Sequence, residues 1–508
     1  GYFLLVNLLL LLPYGSQVVE KRSLGGLWPG FEVLDSRWSP FGNFTVGRRE
    51  GQLTFFSNGV PVSNVPVPDV AFLEELVHYP LLLSPSPRKI LVVGGAFGGM
   101  IREILKHPAE EVHYAEIDPL VIQFLAEHPT PLTRAEMEDP RVRVHPLDGR
   151  LFVKTWGESL DGILLNLPPP STLELNRLYT VEFFREAFRL LGKEGVLGMA
   201  LPGSEAYLSP EARDLNRSIL ASLRETFSSV EVIPGETNVI IARATKDPES
   251  LSPERFIRLL QERRIQTQSL NPAHMRRKME KGRLAWWEEA LNQGEEPRLN
   301  RDRNPSGVYY GVAYWNAQFH PRVRAIWGWV GEFRLSHFGL ALLAVVGAVS
   351  VYRKSGRAGE GRGLAKGALL WAVATTGFFG LAMSVLMILS FQTLHGYAYE
   401  WIGLLVGSFM MGMAGGTWMM NRALGKIRNR GMTLIGVEGF LAVFCLLLML
   451  ALHSLYSSGA APGASGALKA SFLMMGLVSG FWSGLEFPLS GAIYARREGE
   501  VGRTAGIL

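Results

Sequence analysis

The sequence predicts an α/β domain built on a mostly parallel sheet, with a small antiparallel β unit before it and an all-α multi-pass membrane domain after it. Three observations predict this. Hydrophobic residues make up 47% of the 508 and charged ones only 19%, with a mean hydropathy of +0.14, too apolar for an ordinary soluble chain. The charges crowd into residues 15–335, and the last third carries apolar runs long enough to cross about 30 Å of hydrocarbon. From Pro87 onward, β-rich apolar runs alternate with amphipathic helical ones, the mark of βαβ units. The same composition excludes disorder and fibrous repeats.

Residues 1–14 read as the tail of a transmembrane helix: the chain opens without Met inside the apolar stretch Tyr2–Leu12, as a piece of a longer polytopic protein would. Residues 30–70 alternate apolar and polar, and Glu50-Gly51 and Asn58-Gly59 suit tight hairpins. Residues 71–245 form the α/β domain. Strands are expected at 89–94, 111–116, 141–145, 161–166, 195–201, 229–233 and 238–243, and helices at 98–107, 119–127, 180–191 and 209–226. Residues 246–333 read as a polar, peripheral helical segment that ends in an aromatic stretch. Its Tyr309, Tyr310, Tyr314, Trp315, Phe319, Trp327, Trp329 and Phe333 suit a membrane interface better than RNA stacking.

Five spans are expected within 335–493, at about 335–352, 368–391, 398–420, 432–455 and 468–493, followed by a basic loop at 494–508. The loops after the first, third and fifth spans are basic (Arg353, Lys354, Arg357, Arg362, Lys366; Arg422, Lys426, Arg428, Arg430), and the other two are nearly uncharged. This pattern predicts a multi-pass protein of the cell membrane with its basic loops in the cytosol, which puts the α/β domain on the extracytoplasmic side unless the marginal stretch 335–352 does not cross. It also accounts for the net charge of +5 without nucleic acid as a partner. The single cysteine, Cys445, excludes a disulfide framework and a Cys-based metal site, and no His cluster has metal-ligand spacing, so no metal is expected.

The chemistry concentrates at three strand ends. Lys89-Ile-Leu-Val-Val-Gly-Gly-Ala-Phe-Gly-Gly99 is a strand running into glycines and then a helix, so Gly94, Gly95, Gly98 and Gly99 allow a nucleotide close to the backbone. The next strand ends in Glu116-Ile-Asp118, where a carboxylate can take ribose hydroxyls. A third ends in Asp148-Gly149, where an acid can bind an adenine amino group. Together they predict a nucleoside site.

These residues resemble a known family. Phe72-Leu-Glu-Glu-Leu-Val-His78, the glycine strand, Arg102-Glu-Ile-Leu-Lys-His107, Glu116-Ile-Asp118, Asp148-Gly-Arg150 and Leu178-Tyr-Thr-Val-Glu-Phe-Phe184 resemble spermidine synthase, the polyamine aminopropyltransferases. Asn166-Leu-Pro-Pro-Pro-Ser-Thr-Leu-Glu-Leu-Asn-Arg-Leu-Tyr-Thr180, Leu201-Pro-Gly-Ser-Glu205, Gly377-Phe-Phe-Gly-Leu381 and Gly407-Ser-Phe-Met-Met-Gly412 resemble its membrane-fused, multi-pass branch. The resemblance implies a Rossmann-like domain of the S-adenosylmethionine-dependent transferase type. It further implies decarboxylated S-adenosylmethionine as donor and methylthioadenosine as product, with the nucleoside held by the glycine loop, Glu116 and Asp148. Putrescine would be the acceptor.

The acceptor side departs from the family. Aminopropyl transfer is an SN2 attack by an amine that must first lose a proton, and a diamine needs anionic anchors. Where the family has an Asp-x-x-Asp-Pro loop, this chain has Asn166 and Pro169; a Tyr-Gln pair becomes Phe72-Leu73, a Tyr becomes Ile233, and a loop Gly becomes Ala96. No residue is therefore assigned as catalytic, and a polyamine acceptor is doubtful. Glu74, Glu174 or Glu205 offer substitute bases, although Glu74 and His78 read more simply as residues lining a helix. Glu438 and Glu486 lie within apolar runs, as structural glue between helices or as a translocation path. The preferred reading is a docking or structural module, a subunit of a membrane complex, that keeps the nucleoside fold without ordinary aminopropyl transfer. The alternatives are an active membrane-bound aminopropyltransferase or related S-adenosyl-dependent transferase making polyamines, and a polyamine or small-molecule transporter.

Overall fold

The computed structural model describes residues 28–39, 41–65, 67–95, 97–245, 251–294, 296–319, 361–395, 399–457 and 466–494. The chain divides into two compact units between Arg322 and Val323.

The first unit opens with a four-stranded antiparallel sheet of β1 (Glu32–Ser39), β2 (Gly42–Arg49), β3 (Gln52–Ser57) and β4 (Val60–Val65), paired in chain order. Arg49 faces Gln52 and Ser57 faces Val60, so Glu50-Gly51 and Asn58-Gly59 are two-residue loops. Both residues of each loop have positive φ (51° and 81°; 50° and 85°), the type I′ geometry that matches strand twist.

The main sheet has seven strands in the order β10-β11-β9-β8-β5-β6-β7. They are β5 (Lys89–Val93), β6 (Glu111–Ala115), β7 (Val142–His145), β8 (Leu160–Leu165), β9 (Leu191–Pro202), β10 (Ser229–Ile233) and β11 (Thr237–Arg243). β5 to β9 are mutually parallel, and β11 alone is reversed, pairing antiparallel with β9 on one side and β10 on the other. The run Ile90-Leu-Val-Val93 is buried throughout because helices cover both faces. Those helices are α1 (Val70–Leu83), α2 (Met100–Ile104), α3 (Pro119–Glu127), α4 (Pro131–Glu138), α5 (Gly149–Thr155), α6 (Leu173–Asn176), α7 (Val181–Leu190) and α8 (Pro210–Arg224). The alternation of strand and helix places α3, α7 and α8 where the sequence does, but the helix after the glycines is one short turn, and α4, α5 and α6 have too weak a period to be read.

The chain steps outward from β5 through β6 to β7, then returns to lay β8 on the other side of β5. In such sheets the ligand crevice opens at this reversal, outside the carboxyl ends of the two strands. Here those ends lead into Gly94 and Asn166.

Residues 251–319 form α9 (Pro253–Glu262), α10 (Pro272–Lys278), α11 (Lys281–Asn292) and α12 (Ser306–Phe319), helical as expected, with much of their surface exposed and Phe256, Met275 and Trp287 buried on one face. Arg263 donates to the carbonyls of Leu81, Leu82 and Ser84, closing the end of α1. The start of the expected interfacial belt packs on the α/β core instead, with Tyr310 against the cluster around Phe183 and Leu201. The rest of the belt, the first expected span at 335–352, the tail 1–14 and residues 495–508 lie outside the described residues.

The second unit contains α13 (Gly361–His395), α14 (Tyr399–Ala423), α15 (Arg430–Ser457) and α16 (Gly466–Tyr494). Each holds a stretch long and apolar enough to cross a bilayer: Trp371–Phe391, Trp401–Ala423, Arg430–Leu452 and Leu468–Tyr494. α14 and α16 pack backbone to backbone. A Cβ on Gly412 would fall 2.0 Å from the Leu477 carbonyl oxygen, and one on Gly480 1.9 Å from that of Phe409. Only small residues at this spacing permit such an approach.

Candidate functional site

At the reversal point the glycine turn is lined by the protein's own chain. Gly94 and Gly95 adopt φ of 71° and 48°, open to glycine at little cost. A Cβ on Gly94 would meet Leu167 Cδ2 at 2.5 Å, and one on Gly95 would meet Asn166 Nδ2 at 2.9 Å. Asn166 binds across the crevice, its backbone N–H to the Val93 carbonyl at 3.1 Å and its carboxamide to the Gly95 carbonyl at 2.8 Å. The Tyr179 hydroxyl donates to the carbonyls of Leu167 and Pro168 at 3.2 and 2.9 Å. From the far side, Gly311 of α12 lies so close that a Cβ there would be 2.2 Å from the Pro170 carbonyl oxygen. The Asn166–Pro170 segment, with half-buried Pro169 within it, is thus clamped from three directions.

The amides at the start of α2 are also occupied. Gly98, Gly99 and Arg102 each donate a backbone N–H at 2.9 Å to the carboxyl of Glu136, on α4. A helix start is a ready anion site, and here the anion is internal. Burial pushes the Glu136 carboxyl up, against the pull of those three amides.

The expected nucleoside acids come together at the strand ends, each with an internal partner. Glu116 is buried and accepts from the Tyr114 hydroxyl at 2.5 Å and the Asp118 N–H at 3.1 Å, and burial pushes its carboxyl up. Asp118 caps α3 by accepting from the Leu120 N–H at 2.9 Å, and its other oxygen accepts from Ser39 at 2.6 Å. Asp148 caps α5 through the Leu151 N–H at 2.9 Å and is ion-paired with Arg177, a buried guanidinium whose burial lowers it to about 10. Gly149 brings α5 against β5, since a Cβ there would fall 2.3 Å from Val93. In this arrangement a cation stands on the acid expected to take the base, and Leu167 lies against Gly94 of the turn expected to hold the nucleoside.

The acceptor side is apolar and its acids are committed. Leu73 and Ile233 are buried in the core and Phe72 packs against it. Ala96 lies outside the described residues. Glu74, fully buried, accepts from the backbone N–H groups of Gln268, Ser269 and Leu270 at 2.6, 2.8 and 2.9 Å, so it anchors the following segment. Beside it Glu75 holds His274 at 2.6 Å and Lys278 at 2.9 Å. Glu205 pairs with Arg283 at 3.1 Å, which pulls its carboxyl down, and Glu174 lies half-buried in α6.

His78 belongs to a buried chain: its Nδ1 meets His107 Nε2 at 2.9 Å and its Nε2 meets Glu103 at 3.1 Å. Burial works against the Glu103 charge, but His78 and Lys106 overcome it and hold the carboxyl down to about 2. Burial likewise depresses His107 to about 2 and keeps it neutral.

Two groups of side chains stand close enough for a metal, Glu74–His78–Glu103 and Asp35–Glu127–His128. In the first, Glu74 is spent on backbone amides; in the second, Arg37 engages both carboxylates. The roles of Arg177 and Glu136 were not legible: Arg177 stands within the 166–180 motif and Glu136 in no motif, and each meets its target only through the fold.

Residues 70–242 match the family model described as "Spermine/spermidine synthase domain". The chain is 35% identical over 154 residues to the polyamine aminopropyltransferase of Korarchaeum cryptofilum, covering 30% of this chain and 46% of that protein. It is 28% identical over 211 residues to that of Pyrobaculum neutrophilum (39% and 71%), and 37% identical over 158 residues to that of Nitrosomonas europaea (31% and 47%). Among solved structures, the spermidine synthase from Thermotoga maritima is similar with a TM-score of 0.42 and 21% identity, covering 51% of this chain and 87% of that one. The matched stretch spans about half the length of the first of these relatives.

Proposed function

We propose that residues 70–242, which match the spermine/spermidine synthase domain, act in this chain as a membrane-anchored docking or structural module, a subunit of a membrane complex, without ordinary aminopropyl transfer. The observation that carries this reading is the Asn166 carboxamide bonded to the Gly95 carbonyl at 2.8 Å, where the transfer requires a base. An amide cannot take a proton from the attacking amine, and losing a general base costs about 10² to 10⁴ in rate. Of the substitutes, Glu74 has its oxygens filled by three backbone amides and Glu205 is paired with Arg283. Phe72, Leu73 and Ile233 give a dication nothing to pair with, and burying an unpaired charge is unfavourable. The Arg177–Asp148 pair extends the same logic to the donor.

Four apolar helices support anchoring in the membrane, and Arg422, Lys426, Arg428 and Arg430 around the α14–α15 turn support a cytosolic face there; with the span expected at 335–352 also crossing, the α/β domain lies on the extracytoplasmic side. The relatives' names favour the rival reading, an active aminopropyltransferase. The full chain in lipid nanodiscs is to be titrated with decarboxylated S-adenosylmethionine and with methylthioadenosine, and assayed for transfer to putrescine. We expect no turnover; turnover of any amine overturns the proposal. Protease added to spheroplasts is expected to cut within residues 28–319, and protection there reverses the sidedness.

A further inference from the structure

α13, α14 and α16 enclose a cleft of about 280 Å³ inside the second unit. Leu381 and Met410 on its rim are exposed on the helix surface, so the cleft opens where lipid would lie. The side chains that line it are apolar except for four: the hydroxyls of Thr376, Ser384 and Ser483 and the carboxyl of Glu486.

Each hydroxyl proton is already committed. Thr376 donates to Glu438 at 3.3 Å, Ser384 to the Gly380 carbonyl at 2.9 Å, and Ser483 to the Ser479 carbonyl at 3.0 Å. What they present to the cleft is lone pairs. Glu486 is 1% exposed, and neither of its oxygens has a hydrogen-bond partner among the described residues. Ser490, one turn further along α16, is fully buried with its hydroxyl likewise without a partner. The two acids within apolar helices face one another: Glu438 accepts from Thr376, and Glu486 stands beside both, so two carboxyls converge at this end of the cleft.

A wall of acceptors with no donor is complementary to a ligand of donors with no acceptor, and an ammonium is such a group, with three N–H bonds and a positive charge. A calcium or magnesium ion would need about six oxygens, more than four side chains on this wall supply. A carboxylate in apolar surroundings without a cation is costly and marks a functional position.

We propose that Glu486 anchors a site for an organic ammonium, a protonated amine whose charged end meets Glu486 and the Thr376 and Ser483 hydroxyls while its aliphatic part lies against Phe409 and Met410. The inference stands apart from whatever the crevice of the first unit binds.

The test is equilibrium binding of radiolabelled n-butylammonium to the full chain in lipid nanodiscs. Native chain is compared with Glu486→Gln, which keeps the shape and removes the charge, and Gly377→Leu. A Cβ at Gly377, which lines the cleft, meets nothing within 4 Å, so a larger side chain there has room to enter the cleft. We expect saturable binding to the native chain, at least tenfold weaker in both variants, and no competition from 1-butanol. Absence of saturable binding, unchanged affinity in either variant, or competition by butanol overturns the proposal. Thermal unfolding of both variants at the native midpoint shows that they remain folded.

Discussion

The crevice of the first unit and the cleft of the second carry opposite hydrogen-bond accounts. At the crevice every acid that a nucleoside or amine would need has an internal partner: Glu136 on three amides, Asp148 on Arg177, Glu74 on three more amides. In the cleft a buried carboxyl and three hydroxyls offer acceptors and receive no donor. Buried polar groups are nearly always satisfied, so a satisfied cluster reads as architecture and an unsatisfied one as a position for something else. A family motif marks where a site can lie, and the hydrogen-bond partners decide whether it is open.

Three measurements can break or sharpen that contrast. The largest effect is expected at Arg150, which binds Glu186 at 2.8 Å and Asp302 at 2.8 Å and ties α5, α7 and the 302 segment together. Arg150→Ala leaves two acids without their guanidinium, and removing one partner of a buried pair costs about 3 to 5 kcal/mol. Thermal unfolding followed by tryptophan fluorescence checks it, and a loss under about 1 kcal/mol would make this network ornament.

Next comes acid sensitivity. Glu103 is held at about 2 against an ordinary 4.5, so its contribution is present above pH 4.5 and is lost as the pH falls towards 2. His107, kept neutral down to about 2 against an ordinary 6.5, acts in the same direction, because the unfolded chain takes up its proton first. Stability of the first unit should therefore fall continuously from about pH 6.5 downward. Glu103 supplies on the order of 3 kcal/mol of that fall. Glu103→Gln should start less stable at neutral pH and lose less on acidification; parallel pH curves for the two proteins would contradict the assignment.

The smallest effect, and the one closest to function, concerns Arg177. If its guanidinium is what closes the nucleoside end, Arg177→Met frees Asp148, and methylthioadenosine should bind at least about tenfold tighter, a difference of about 1.4 kcal/mol. Unchanged binding in calorimetry would place the obstruction at Leu167 instead.

Much of the fold was legible because its signals are local. The type I′ turns need only Glu50-Gly51 and Asn58-Gly59. The helix starts need only Asp118 before Pro119, Thr180 before Val181 and Ser209 before Pro210, each of which accepts a bond from its own first turn. The attachment of residues 251–319 was hidden because its anchors are distant. Glu74 meets the chain at 268–270 and Arg263 returns to 81–84, contacts that no window of sequence contains.

The sequence by itself determined the order of the strands, four of the five expected apolar spans and the glycine turn at the reversal point, since each follows from residue type and short-range spacing; the changed acceptor acids show only beside the family it resembles. Only the tertiary structure decided that Arg177 stands on Asp148, that Glu136 fills the amides after the glycines, and that Glu486 is left without a donor. The physical reason is that a side chain's type fixes what it can bind, whereas packing fixes which partner reaches it first.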